Sequence, residues 1–251
     1  MTRQNDDGLL FAGTVLARNR RMAGSGFYDI GNTTALSLKS SSEKKQRMSK
    51  RKDSYGQVLD SVSSKNPTEI SLKLDTFDRE NLAMTLMGES AVIAASAVKV
   101  TDEQVTIGKK GQWYPLSIDN LDAESVKVKN HLDAKVEAAD IEINPTLGLI
   151  LVKESCANVS DGEVIKVTAS TKAAGGFRIN ADTVGDYDLE LMLDGINRVT
   201  GKNVKLHIPS AVLAADGELD WFAEDFNEAS FSGNAVRVSG HQSPYSFSEF
   251  N

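Results

Sequence analysis

The chain has 251 residues, 40% of them hydrophobic, enough to bury one sizeable core or two modest ones without staples. Its single cysteine, Cys156, excludes an internal disulfide framework and a cysteine-rich metal site, and suits synthesis in a reducing cytoplasm. A formal charge of -7 argues against a nucleic-acid binder, because an acidic body repels a polyanion. That charge is uneven: residues 1–56 carry eleven Lys/Arg against five Asp/Glu, and residues 57–251 carry 17 against 30.

The first apolar run, "LLFAGTVLA" from Leu9 to Ala17, follows Asp6 and Asp7 and precedes "RNRR". That charge order is wrong for a secretory signal, and the run is too short to span a bilayer. Residues 1–31 lack sustained periodicity and hold five of the 19 glycines, which predicts an N-terminal arm ordered only against a partner. From Thr34 the pattern turns strand-like in "TALSLK", and "EISLKLDTF" repeats it with Ile70, Leu72 and Leu74 inward and Ser71, Lys73 and Asp75 outward. Between them, residues 40–68 form a polar stretch too long for a tight turn. It contains "KKQRMSKRK", where Lys44, Lys45, Arg47, Lys50, Arg51 and Lys52 place six cations in nine residues.

"DRENLAMTLMG" changes period: Asp78 can cap, Leu82 and Leu86 share a face with Ala83 and Met87, and Gly88 can terminate. This predicts a helix of about nine residues, too short to stand alone and so docked on a sheet. Strands follow at Ala91–Val100, Gln104–Ile107 and Gln112–Leu116, the last placed at a sheet edge by Pro115. "ADIEINPTLGLILVKE" reads as strand, turn at Asn144–Gly148, strand, and "GEVIKVTAS" and "GGFRINAD" add two more. "DYDLELMLDGINRV" alternates cleanly, with Tyr187, Leu189, Leu191 and Leu193 on one face and Asp188, Glu190, Met192 and Asp194 on the other. "VKLHIPSAVL" and "EASFSGNAVRV" close the series before a polar, aromatic tail at residues 243–251. About ten strands and one helix predict a mainly β fold of two packed antiparallel sheets, sandwich or barrel-like, with a flanking helix, as one domain over residues 32–242. No fixed-period repeat, heptad run or transmembrane segment is present in the sequence.

Reactive constellations are sparse. His131, His207 and His241 show no metal-ligand spacing and adjoin no nucleophile motif. Cys156 reads as a small side chain at a strand end. "GSGFYDIG" has Asp29 where a dinucleotide fingerprint wants its third glycine, and "DGELDWFAED" lacks the spacing of a calcium loop, so it reads as a solvated acidic loop. Trp221 and Phe222 are adjacent, so at least one is expected in the core. The cationic run remains, as a solvated loop, a grip on an anionic ligand, or a grip on an acidic protein surface; the acidic body favours the last, with other copies of the chain supplying that surface.

The stretch "LDSVSSKNPTEISLKLDTFDRENLAMTLMG", with "DYDLELMLDGIN" and "VKLHIPSAVLAADGELDWFAEDFNEASFSG" later, resembles the major tail tube proteins of long-tailed, non-contractile bacteriophages. The resemblance spans Gly31 to Gly240 and lies in the order of patterns rather than in a catalytic signature. It implies six-subunit rings stacked into a hollow tube that conducts DNA into the host without binding it specifically and is built around a tape-measure protein. It also implies a virion location after synthesis in the host cytoplasm, with tail terminator and distal tail proteins at the ends. The loop Ser40–Gly56 would reach the adjacent ring, and residues 1–31 and 243–251 would be arms on neighbours. The chain ends too soon for the C-terminal immunoglobulin-like domain of some members. Neither catalysis, cofactor, metal nor membrane is expected.

Carboxylates lining such a lumen would repel phosphates over the ~8 Å Debye length of physiological salt. Asp188 and Glu190, on the outward face of their strand, are the lumen candidates. Competing readings are a secretion-system ring protein of related fold, and a surface β-sandwich binding carbohydrate or protein through Trp113, Tyr114 and Trp221.

Overall fold

In a computed structural model that describes residues 8–250, the chain is mainly β, with several antiparallel sheets and one α-helix. It forms two compact units, Met1–Ala91 with Ile179–Asn251, and Val92–Arg178. The first unit opens with β1 (Phe11–Asn19), β2 (Tyr28–Asp29), β3 (Thr33–Lys39), β4 (Ser42–Met48), β5 (Val58–Lys65), β6 (Thr68–Leu74) and α1 (Arg79–Thr85), and β7 (Glu89–Ile93) leads out of it. The second unit holds β8 (Lys99–Ile107), β9 (Trp113–Pro115), β10 (Lys127–Lys129), β11 (Lys135–Val136), β12 (Ile141–Asn144), β13 (Leu149–Val152) and β14 (Glu163–Ser170). The chain returns through β15 (Gly176–Asn180), which pairs with β7, and ends with β16 (Tyr187–Asn197), β17 (Asn203–Ala215), β18 (Ala229–Ala235) and β19 (Ser246–Phe250).

The first unit is built on one sheet in the order β2-β1-β16-β17-β18-β6-β3, with β19 also paired to β17. The long β17 makes this possible. One side follows β16, and the other pairs first with β19 through Asn203–His207 and then with β18 through Ala211–Ala215. Alternation sets its two faces as predicted: Ile70, Leu72, Leu74, Leu189 and Leu191 are buried with Val15, Ala17, Ile208, Leu213 and Phe231 in one core, while Ser71 and Lys73 point the other way. The sheet stays open at its edges, and no closed barrel forms among the described residues.

The helix is shorter than predicted, at seven residues. Asp78 caps it by accepting from the Asn81 amide, and Met84 sinks into the core. Fully buried Asn81 ties the helix down: its Nδ2 donates to the carbonyls of Ile30 and Thr76 at 2.8 and 3.0 Å. Termination falls on Met87 at φ 47°, not on Gly88. Gly88 serves a different need, since a Cβ there would lie 2.3 Å from the Asn180 carbonyl oxygen.

The second unit has two sheets, β11-β10-β14-β8 and β12-β13-β9, and both contribute to one core that includes Val105, Ile107, Val128, Ile150, Val152 and Ile165. Edge strand β9 ends at Pro115, where no ladder donor is needed. The predicted strand Ala91–Val100 is broken, since residues 94–98 separate β7 from β8. The sequence carried no boundary here because strand signals run on without a linker composition.

Both predicted arms need correction where they are described. Within residues 1–31, of which 1–7 lie outside the described residues, Phe11–Asn19 pairs along its whole length with β16, burying Val15 and Ala17. In the tail, Ser246–Phe250 pairs with β17. Glycine and small side chains hid the first strand, and shortness hid the second.

Candidate functional site

Residues 40–68 are not a loop: β4 and β5 pair from Ser42↔Lys65 to Met48↔Val58 as an antiparallel hairpin. Every residue of both strands is exposed, and neither strand packs extensively on any element but its partner. A two-stranded ribbon wet on both faces has no core of its own, which makes it marginal in isolation and available to another surface. Strand β4 is polar enough to read as loop in sequence, with Glu43, Lys45 and Arg47 on one face and Lys44 and Gln46 on the other.

The tip is closed by its own hydrogen bonds. Ser49, 2% exposed, donates its amide to the Gln57 carbonyl at 2.7 Å, accepts from the Gly56 amide at 2.9 Å and shares its hydroxyl with that of Ser54 at 2.7 Å. Gly56 takes the left-handed φ of 82° this turn requires. Lys50, Arg51 and Lys52 are thus carried on an ordered turn, and Lys44, Lys45 and Arg47 on the strand beneath. Among the described residues only Arg47 of the six is ion-paired, its guanidinium 2.5 Å from Asp60 across the ribbon. Exposed apolar side chains accompany the charges: Met48, Tyr55, Val58, Leu59 and Val62. A phosphate backbone offers such groups no seat, whereas a protein surface does.

Asp188 and Glu190 lie on the sheet face opposite the core, as their alternation predicted, but neither is a free carboxylate. Asp188 accepts from Arg20 at 2.6 Å and from the Ser210 hydroxyl at 2.7 Å. Glu190, 8% exposed, pairs with Arg18 and lies 2.8 Å from His207 Nε2. Burial works to raise its pKa, but the hydrogen bonds from His207 and Arg18 outweigh it and hold the carboxyl below its ordinary value. Arg18 also stacks over Phe27, 5.0 Å from the ring centroid, and His207 meets His241 edge to face. Farther along this face, Ser37, Ser71 and Ser232 align across β3, β6 and β18. It is therefore a polar, ion-paired surface rather than a wall of unpaired acids.

The remaining candidates fall into structural settings. His131 pairs with Glu163, whose carboxyl that hydrogen bond holds below its ordinary pKa despite partial burial. Cys156 is buried in the second unit's core. The Tyr114 hydroxyl is engaged by the Lys109 amide at 2.7 Å and donates to the Lys109 carbonyl at 3.0 Å. Trp221 and Phe222 correct the core-anchor expectation: both lie exposed in the connection between β17 and β18, and Phe226 joins them. Among the described residues no group of His, Cys, Asp and Glu is arranged to hold a metal ion, and no helix is long and apolar enough to cross a membrane.

None of the curated proteins matches the chain. The family described as "Protein of unknown function UCP028589" matches over residues 9–251, and the chain belongs to that family.

Proposed function

We propose that this protein is a virion structural subunit that self-assembles into six-membered rings, stacked into the hollow tail tube through which a long-tailed, non-contractile bacteriophage delivers DNA. The observation that carries this reading is the hairpin Ser42–Lys65: an ordered, cationic, partly apolar prong, wet on both faces and attached to an acidic chain. A ribbon whose two strands are exposed along their whole length is a contact waiting for another, and opposite charge on the remainder of the chain supplies it from a second copy. The likeness of Leu59–Gly88, Asp186–Asn197 and Val204–Gly233 to tail tube proteins supplies the biological setting. Inside the tube, the tape-measure protein during assembly and DNA during ejection would pass the polar sheet face. Arg18–Glu190 and Arg20–Asp188 are neutralised there, so neither sign of charge would hold a passing phosphate chain.

Sedimentation of the purified chain over a range of concentrations tests the assembly. A species of six times the 27.1 kDa subunit, growing into larger particles as concentration rises, is expected. A single 27.1 kDa species at every concentration and salt would end this reading.

A further inference from the structure

The connection Asp216–Glu228 carries no cation but six acids, Asp216, Glu218, Asp220, Glu224, Asp225 and Glu228, and three aromatic side chains. Trp221, Phe222 and Phe226 are 71%, 95% and 102% exposed. Aromatic side chains each bury about 150–250 Å² when they find a partner, so leaving three of them in water on one connection of thirteen residues marks an interaction surface. The loop is built to hold them there. The Asp220 amide donates to Asn227 Oδ1 at 3.2 Å, Asn227 Nδ2 donates back to the Asp220 carbonyl at 3.0 Å, and the Phe222 amide donates to Asp220 Oδ1 at 2.9 Å.

Register places this loop and the basic hairpin at opposite ends of the same strands. Leu74 of β6 pairs with Ala229 of β18, where the loop ends, and Thr68 pairs with Ala235, where the hairpin joins. The loop's other end leaves Ala215, opposite Phe231, while the hairpin's other end leaves Lys39, opposite Glu69. The two features are separated by the length of β6, about 20 Å at ~3.3 Å per residue.

We infer that the aromatic, acidic loop Asp216–Glu228 is the docking surface for the basic hairpin of a second copy of this chain. The inference rests on the assembly reading above and names its contact. Lys50, Arg51 and Lys52 meet the loop's carboxylates and the faces of Trp221 and Phe222, where cations are favoured, while Tyr55, Val58 and Val62 cover the aromatic edges. Donor and acceptor at opposite ends make the contact head-to-tail, the kind that builds an open stack when its rotation does not close into a ring.

Three full-length variants test it by electron microscopy, with circular dichroism to confirm folding. Reversing the hairpin (Lys50→Glu, Arg51→Glu, Lys52→Glu), reversing the loop (Asp220→Lys, Glu224→Lys, Asp225→Lys) or stripping it (Trp221→Ala, Phe222→Ala, Phe226→Ala) should each raise the concentration needed for stacking by about tenfold or more. Mixing the two charge-reversed variants should restore it, since each then offers what the other lacks. Wild-type stacking with loop variants that stack equally well, or a mixture that stays blocked, would overturn this contact and leave the assembly reading standing. A wild-type chain that never associates would overturn the assembly reading itself.

Discussion

Glu190 shows how far a local pattern reaches at the scale of single residues. Alternation along "DYDLELML" placed it, with Asp188, opposite the core, because the two-residue period of a strand is local information. Its partners were not legible, since Arg18 lies 172 positions away and only the pairing of β1 with β16 brings them together. Because its pKa is held low in the folded chain, its contribution to stability is complete above the ordinary glutamate value of about 4.3 and is lost as pH falls through the lower, folded value. Glu190→Gln should cost about 1–3 kcal/mol at pH 7, through hydrogen bonds to charged groups and a half-exposed Arg18 left behind. The variant should also lose less of its Tm than the wild type on acidification below about pH 4.3, since one linked carboxyl is gone. Thermal melts at pH 7 and pH 3 check both; equal losses on acidification would remove Glu190 from the acid response.

Among elements, legibility followed burial on one face. "EISLKL" read correctly because Ile70, Leu72 and Leu74 all enter one core; "DRENLAMTLMG" read as a helix from Asp78 and the four-residue spacing of Leu82 with Leu86 and Ala83 with Met87, although the side chains it buries are Asn81, Ala83 and Met84. The hairpin Ser42–Lys65 read as a loop because both its faces are wet, and period-2 patterning exists only where one face is dry. The aromatic loop misled for the opposite reason: adjacent Trp221 and Phe222 look like core to any argument that assumes a lone chain. If the hairpin serves assembly rather than folding, replacing Ser41–Pro67 by a two-residue Asn-Gly turn between β3 and β6 should leave the melting temperature within about 2–4 °C of wild type, the equivalent of ~1 kcal/mol at this size. Stacking should be abolished in the same variant. A collapse of the melting transition would instead make the ribbon part of the subunit's own stability.

For the whole molecule, composition allowed one sizeable core or two modest ones, and strand patterning read a mainly β chain as one domain over residues 32–242; the structure has two cores, one in each unit. The division at Val92 and Arg178 was not legible, because the chain leaves and re-enters along paired strands β7 and β15 rather than through a linker. Charge is where composition and the assembly reading meet: among the described residues five of the six hairpin cations have no ion-pair partner in their own copy, Arg47 alone pairing with Asp60, and on that reading the acidic groups of a second copy would supply the rest. Association resting on such a contact should weaken as salt shortens the Debye length from about 10 Å at 0.1 M to ~3 Å at 1 M. Light scattering across that range should therefore fall, whereas scattering that rises with salt would assign the contact to apolar burial alone.

The most direct measurement is an electron micrograph of the concentrated wild-type chain at low salt. The account predicts six-fold rings and stacked tubes with a central channel; a field of separate, single subunits at every concentration would contradict it.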